Sequence, residues 1–318
     1  MVALAEWNMS RHMRTKPEPR LEVLMSWWGM TGLGDEGGGE WSMEEKIRRI
    51  AEAGYDGIHG MLPEGEEAEL WQSLLDRYGL SFSVTAHLRS AEELSEFLHK
   101  AKSFGKVDFV NVQVLKPFLT GEPAVRMLSE MAKLSRTAAM PTYIETHRGT
   151  ITQDLLRTVE YMRNLPELEL TIDFSHYVVA GEMWSVSDEA ELLLQSLLPR
   201  TKSIHARVSN GEQVQIDVPL DENIVLKVAG GETEEPMLSH FLNWWLCGMR
   251  NWRKSAQAGD MLPFVCELGP PPYAITLRGQ DGTKREASDR WSQSLLFARL
   301  ARSLWKQANE DKIELTQS

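Results

Sequence analysis

Short runs of aliphatic and β-branched residues alternate with longer stretches whose apolar positions recur every three to four residues, from residue 21 to residue 308. The short runs read as strands at 21–28, 56–61, 80–88, 108–114, 141–147, 168–173, 202–208 and 261–267. Between and after them, helical periodicity covers 42–53, 66–78, 91–104, 124–137, 153–164, 187–198, 236–253 and 288–306. The first helix shows the logic. Ile47, Ile50 and Ala51 share one face, Glu44, Lys46 and Arg48 lie elsewhere, and Ser42 with Glu45 forms a capping box.

Eight strands alternating with eight helices predict an α/β chain folded as a single-domain (β/α)8 TIM barrel. An open doubly wound sheet is the rival. The count of eight favours closure, as does the placing of charged residues at many strand ends rather than at one switch point. Residues 1–20, with Pro17 and Pro19 and no clear period, read as an N-terminal arm; 21–308 form the barrel, and 309–318 a polar tail. Two long connections, 29–41 and 209–235, would lie on the catalytic face as lids. Gly32-Leu33-Gly34-Asp35-Glu36-Gly37 formally fits a dinucleotide-binding turn, but more glycines follow where a helix should start, and its acids would repel pyrophosphate.

Composition narrows the function. Of 318 residues, 42% are hydrophobic and 25% charged, so a sizeable core is available, and the net charge of −12 argues against nucleic-acid partners. Two cysteines, Cys247 and Cys266, make no disulfide framework; both read as buried, and a reducing cytoplasm is the expected home. The first twenty residues lack the apolar run of a signal peptide, and no segment is long enough to span a membrane.

The chemistry concentrates at strand ends. Of eight histidines, His59, His87, His147, His176 and His205 fall at or just past a strand end, whereas His12 is in the arm and His99 and His240 are on helices. Glu145 ends strand five, Asp173 strand six and Glu267 strand eight, and His205 lies on strand seven. In a barrel these ends converge. Salt bridges to Arg148 and Arg207 would be the structural explanation. The functional one is a divalent cation held by Glu145, Asp173, His205 and Glu267. Three oxygen donors and one nitrogen suit Mn²⁺ or Mg²⁺, with Co²⁺ or Zn²⁺ also compatible.

This order of residues, together with Asp173-Phe174-Ser175-His176 and the run Ala53-Gly54-Tyr55-Asp56-Gly57-Ile58, resembles the xylose isomerase-like TIM barrel superfamily. That group includes sugar isomerases and epimerases, inosose dehydratase, hydroxypyruvate isomerase and endonuclease IV, the AP endonuclease family 2 type. The resemblance spans nearly the whole chain after residue 20 and implies the same four metal ligands. It also implies a metal-dependent isomerase or epimerase acting on a keto-sugar or related polyol. Glu145 and Glu267 would pass a carbon-bound proton, while the cation stabilises the resulting enediolate. His176 and Arg207 would hold substrate oxygens; the alternative for Arg207 is a salt bridge to a ligand carboxylate.

His147, on the same strand face as Glu145, would serve as an acid or base, or would orient Glu145. An imidazole there suits a lyase or dehydratase that protonates a leaving group from a keto-glycoside or inosose. His59, His87 and Gln113 are candidate substrate contacts, and Trp28 a candidate apolar wall for a sugar ring. Endonuclease chemistry would call for an Asp-x-His after strand seven, where 209–217 carries no histidine. A non-catalytic binding barrel would be expected to have lost a ligand. The expected partner is a small carbohydrate, with no nucleic acid or membrane. The arm and the helix bearing Trp244 and Trp245 are places for a homo-oligomer contact.

Overall fold

The structure, a computed structural model, describes residues 18–35, 38–220 and 236–317. Most of the arm, Glu36 and Gly37 of the first lid, and 221–235 of the second fall outside the described residues. The barrel strands are β1 Arg20–Ser26, β2 Gly57–Gly60, β3 Ser81–Leu88, β4 Val107–Val114, β5 Thr142–Glu145, β6 Leu170–Ile172, β7 Thr201–Ala206 and β8 Met261–Cys266. They pair in parallel in chain order, and β1 closes on β8 from Arg20 opposite Met261 to Met25 opposite Cys266. The (β/α)8 barrel expected from the strand count is therefore formed.

Strands buried on both faces need apolar runs, and β2 and β6 are buried throughout. The outer layer is built from α1 Met43–Glu52, α2 Glu66–Tyr78, α3 Ala91–Phe104, α4 Gly121–Ala138, α5 Leu155–Asn164, the short α6 Ser175–Ala180, α7 Asp188–Leu197, α8 Pro236–Arg253 and α9 Arg290–Gln317. The capping residue of α1 behaves as expected, since Ser42 Oγ accepts from the Glu45 amide at 3.3 Å. Ile47 and Ile50 are fully buried against the sheet. Trp244 and Trp245 are core residues of α8, the latter packed edge-on to Phe264 and Phe297.

The sequence pattern missed some features. Helix α9 continues well past Lys306 to Gln317. The connection after β8 carries a small antiparallel hairpin, β9 Thr276–Arg278 with β10 Lys284–Glu286. Its strands are short and largely exposed, so no alternation of apolar and polar residues marks them. Cys266 is buried, but Cys247 is only half-buried. Among the described residues, no helix is long and apolar enough to cross a membrane.

Strand alternation places the site. Leu24, Phe109 and Val265 form a small apolar cluster, with Tyr143 packed against it, separate from the main core. Two residues further along the same strands stand Ser26, Asn111, Glu267 and Glu145. A period of two carries each inward face from apolar to polar.

Candidate active site

Glu145, the last residue of β5, is fully buried. Its Oε2 accepts from Asn111 Nδ2 at 2.6 Å and Gln113 Nε2 at 2.9 Å, both side chains of β4. Its Oε1 has no hydrogen-bond partner and lies 3.6 Å from His205 Nδ1. The same Nδ1 is 3.1 Å from Glu267 Oε2. Burial alone would push Glu145 up, but His205, His147 and the Asn111 amide hold its carboxyl well below the usual range. Burial likewise opposes protonation of His205, yet Glu267 and Glu145 raise it to about 10.

Arg207, 1% exposed, lies two residues past His205 and enters this acidic cluster. Its Nη2 donates to Glu267 Oε2 at 2.9 Å, its Nε to the Glu267 carbonyl at 2.9 Å, and its Nη1 to His176 Nε2 at 3.2 Å. Asp173 Oδ2 is 3.1 Å from Nη1, an ion pair without hydrogen-bond alignment. Asp173 Oδ1 instead accepts from the Ser175 amide at 3.0 Å and from its hydroxyl. Burial, and then the neighbouring carboxylates, lift Asp173 to about 6 despite the guanidinium. Arg207 thus makes the carboxylate salt bridges that a structural role predicts, while also lining the cavity.

A divalent cation fits this donor set. Glu145, His205 and Glu267 each offer an atom within 4.8 Å of the others, and all three are buried. Glu145 Oε1, Asp173 Oδ2 and His205 Nε2 are buried polar atoms without hydrogen-bond partners, each of which would be costly if left so. With His205 giving up its proton to act as a ligand, three carboxylates against one guanidinium leave two buried negative charges, the amount one divalent ion balances. Asp173 is held towards Arg207 and stands outside the trio. A second trio, Glu145, His147 and His176, has similar spacing. A second divalent ion there would leave the buried site net positive, so one cation is the better match.

The remaining histidines divide by environment. His147 Nδ1 lies 2.5 Å from the Arg148 carbonyl, to which it donates, so Nε2 carries the free lone pair. Its ring is 3.7 Å from that of His176. Burial, then His147 and Arg207, keep His176 well below the usual histidine value, so it is neutral. His59 bonds the Ser83 hydroxyl at 2.8 Å and the Thr85 hydroxyl at 2.7 Å, and burial drops it to about 3. Both His59 nitrogens are therefore committed, and the ring, stacked on Phe109, serves as a neutral floor.

Above this floor lies a cavity of about 470 Å³, lined by His59, His87, Gln113, His147, Arg207 and Glu267 together with Trp27, Trp28, Met61 and Tyr273. Trp28 and Tyr273 meet edge to face at 4.9 Å, and Arg207 lies over the tyrosine ring at 4.9 Å. Gly269 makes room for this wall, because a Cβ there would sit 1.9 Å from the Trp28 ring. A wider groove of about 1370 Å³ opens at the other end of the barrel. Its acids have structural work: Asp56 accepts from the Val23 amide and Asp108 from the Phe82 amide.

Sequence reasoning missed Asn111, Ser175 and Tyr273. Asn111 was accessible, since it precedes Gln113 by one strand period. Tyr273 sits in an irregular proline-rich connection and carries no periodic signal.

No family model matches the chain, and neither does any curated protein. Solved structures do. A xylose isomerase-like TIM barrel protein from Mycobacterium smegmatis, in complex with magnesium, has a TM-score of 0.55 at 13% identity, covering 90% of this chain and 97% of that one. A D-allulose 3-epimerase from Methylomonas sp., with additional C-terminal residues, has a TM-score of 0.50 at 16% identity, covering 91% and 98%. At such identities the likeness establishes a shared (β/α)8 barrel fold.

Proposed function

We propose that the chain is a divalent-metal-dependent isomerase or epimerase that moves a proton on a carbon beside the carbonyl of a keto-sugar or related polyol. The observation that carries this reading is the pair of buried carboxylates, Glu145 and Glu267, on either side of His205, with Glu267 lining a cavity that has an aromatic wall. The magnesium complex of a barrel with this fold supports the choice of Mg²⁺ or Mn²⁺. Glu145, Asp173, His205 and Glu267 would hold the ion, which when bound acts as a Lewis acid toward the carbonyl and its neighbouring hydroxyl.

The protein's own groups account for the rest. Asn111 and Gln113 fix Glu145 by its Oε2, orienting the carboxylate that would take the proton. Glu267, anchored through Oε2 by Arg207 and His205, returns a proton on the other side. Neutral His176 and cationic Arg207 hold substrate oxygens and stabilise the developing negative charge. Trp28 and Tyr273 cover an apolar ring face.

A lyase or dehydratase is the second reading, and His147 is the observation that favours it. Its free Nε2 borders the cavity, suited to taking a proton from the substrate and passing it to a departing oxygen. One experiment separates the two. The protein is loaded with Mn²⁺ or Mg²⁺ and incubated in D₂O with ketoses, inososes and keto-glycosides. Label beside the carbonyl, lost on chelation and in Glu145→Gln, supports isomerase chemistry; release of water or an aglycone supports the lyase. No exchange and no release across the panel, with metal bound, overturns the proposal.

A further inference from the structure

The cavity is divided in a way that four metal ligands alone do not require. Glu145, Asp173, His205 and Glu267 come from the β5–β8 half of the barrel mouth. From the β1–β2 half the lining residues are Ser26, Trp27, Trp28, Thr31, His59, Gly60 and Met61; none is an acid, lysine or arginine, and both nitrogens of His59 are taken up by Ser83 and Thr85. Trp28 is 37% exposed and Met61 53% exposed, so both present apolar surface at the rim.

Size points the same way. At about 30 Å³ per water-sized atom, the twelve non-hydrogen atoms of a hexose would fill at most about 360 Å³, and bonded atoms pack tighter. The cavity is about 470 Å³. A free hexose held by the charged half leaves the β1–β2 half unfilled. Water would then face an indole ring and a thioether there, contacts that an apolar group would improve.

The aromatic wall is also held rigidly. Arg290, 3% exposed, donates to the carbonyls of Gly29 and Thr31, in the turn that follows Trp28, and its Nε donates to Glu286 at 2.6 Å. The Gln215 side chain bonds both backbone groups of Gly269, the residue against which the Trp28 ring lies. A surface fixed from two sides in this way is pre-organised for a partner rather than left over from folding.

We infer that the substrate is a keto-sugar bearing an apolar, ring-sized aglycone, with the sugar on the charged half and the aglycone against Trp28 and Met61. The inference rests on the keto-sugar reading of the same site. It narrows the substrate class from free sugars to glycosides, whichever of the two reactions follows.

The test uses three compounds with one reacting ring: a free 3-keto-hexopyranose, its methyl glycoside and its phenyl glycoside. With Mn²⁺-loaded protein, Kd is measured by calorimetry and turnover by deuterium exchange together with product release. The expected order is phenyl, then methyl, then free sugar, with about tenfold or more between the extremes. Met61→Asp, which puts a charge on the apolar half, should shrink that ratio, whereas Met61→Leu should preserve it. A free sugar that binds and turns over as well as the phenyl glycoside overturns the inference while leaving the proposed function standing. If none turns over, the proposed function fails, and the Kd order still decides whether the cavity prefers a glycoside.

Discussion

Arg207→Met removes the guanidinium that lies between Asp173 and Glu267 while keeping much of the side-chain bulk. The two ion pairs, at 3.1 and 2.9 Å, would each be worth about 5 kcal/mol at an effective dielectric of 20, before the cost of burying the charges. Breaking a buried pair by deleting one partner typically costs about 3–5 kcal/mol, because the other charge remains uncompensated. At about 2 °C per kcal/mol for a chain of this size, melting in excess chelator should fall by about 6–10 °C. The same deletion makes the cluster more negative, so Mn²⁺ should bind the variant more tightly. A cation at about 100 times its Kd contributes about 2.7 kcal/mol, so adding Mn²⁺ should restore a substantial part of the lost melting temperature. Thermal melts with chelator and with Mn²⁺, plus calorimetric Kd values, check all three statements. A variant that melts like the wild type in chelator, or binds Mn²⁺ more weakly, refutes the charge balance argued for this site.

Other outcomes test separate parts of the structure. Gly269→Ala should push the Trp28 ring off its seat and raise KM about tenfold with little change in kcat, while costing about 1–3 kcal/mol of stability; an unchanged KM would show that the wall does not bind substrate. Glu22 is buried at the far end of the barrel, and its carboxyl is raised by burial, partly offset by Arg20. A raised folded value means the penalty is absent below the unfolded pKa and grows as pH rises through the folded one. Glu22→Gln should therefore stabilise the protein at neutral pH, the gain vanishing near pH 4 in denaturant titrations. A gain independent of pH would rule out ionisation as its origin. Ser42→Ala removes the acceptor for the Glu45 amide and should cost about 1 kcal/mol in the same titrations, with Ser42→Asp retaining most of the stability.

The sequence by itself determined the barrel and most of the positions at its mouth. Eight apolar runs alternating with eight amphipathic helices leave little choice of layers, because parallel strands buried on both faces need helices outside and a closed edge. Strand period then aligned Glu145 with His147 and His205 with Arg207, placing them on inward faces without any knowledge of distance. What periodicity cannot express is which partner each inward group finds. Asp173 and Glu267 are carboxylates at strand ends in the sequence, but only packing decided that Arg207 would lie between them and neutralise part of their charge. His59 and His176 look alike as strand-end histidines. One is bonded through both nitrogens to Ser83 and Thr85, whereas the other accepts from Arg207 and leaves its Nδ1 unpartnered. The aromatic wall came from further still, since Trp28 follows β1 and Tyr273 lies in an irregular segment after β8. They meet because β1 and β8 are neighbours in a closed barrel, a contact between chain ends that no local pattern encodes.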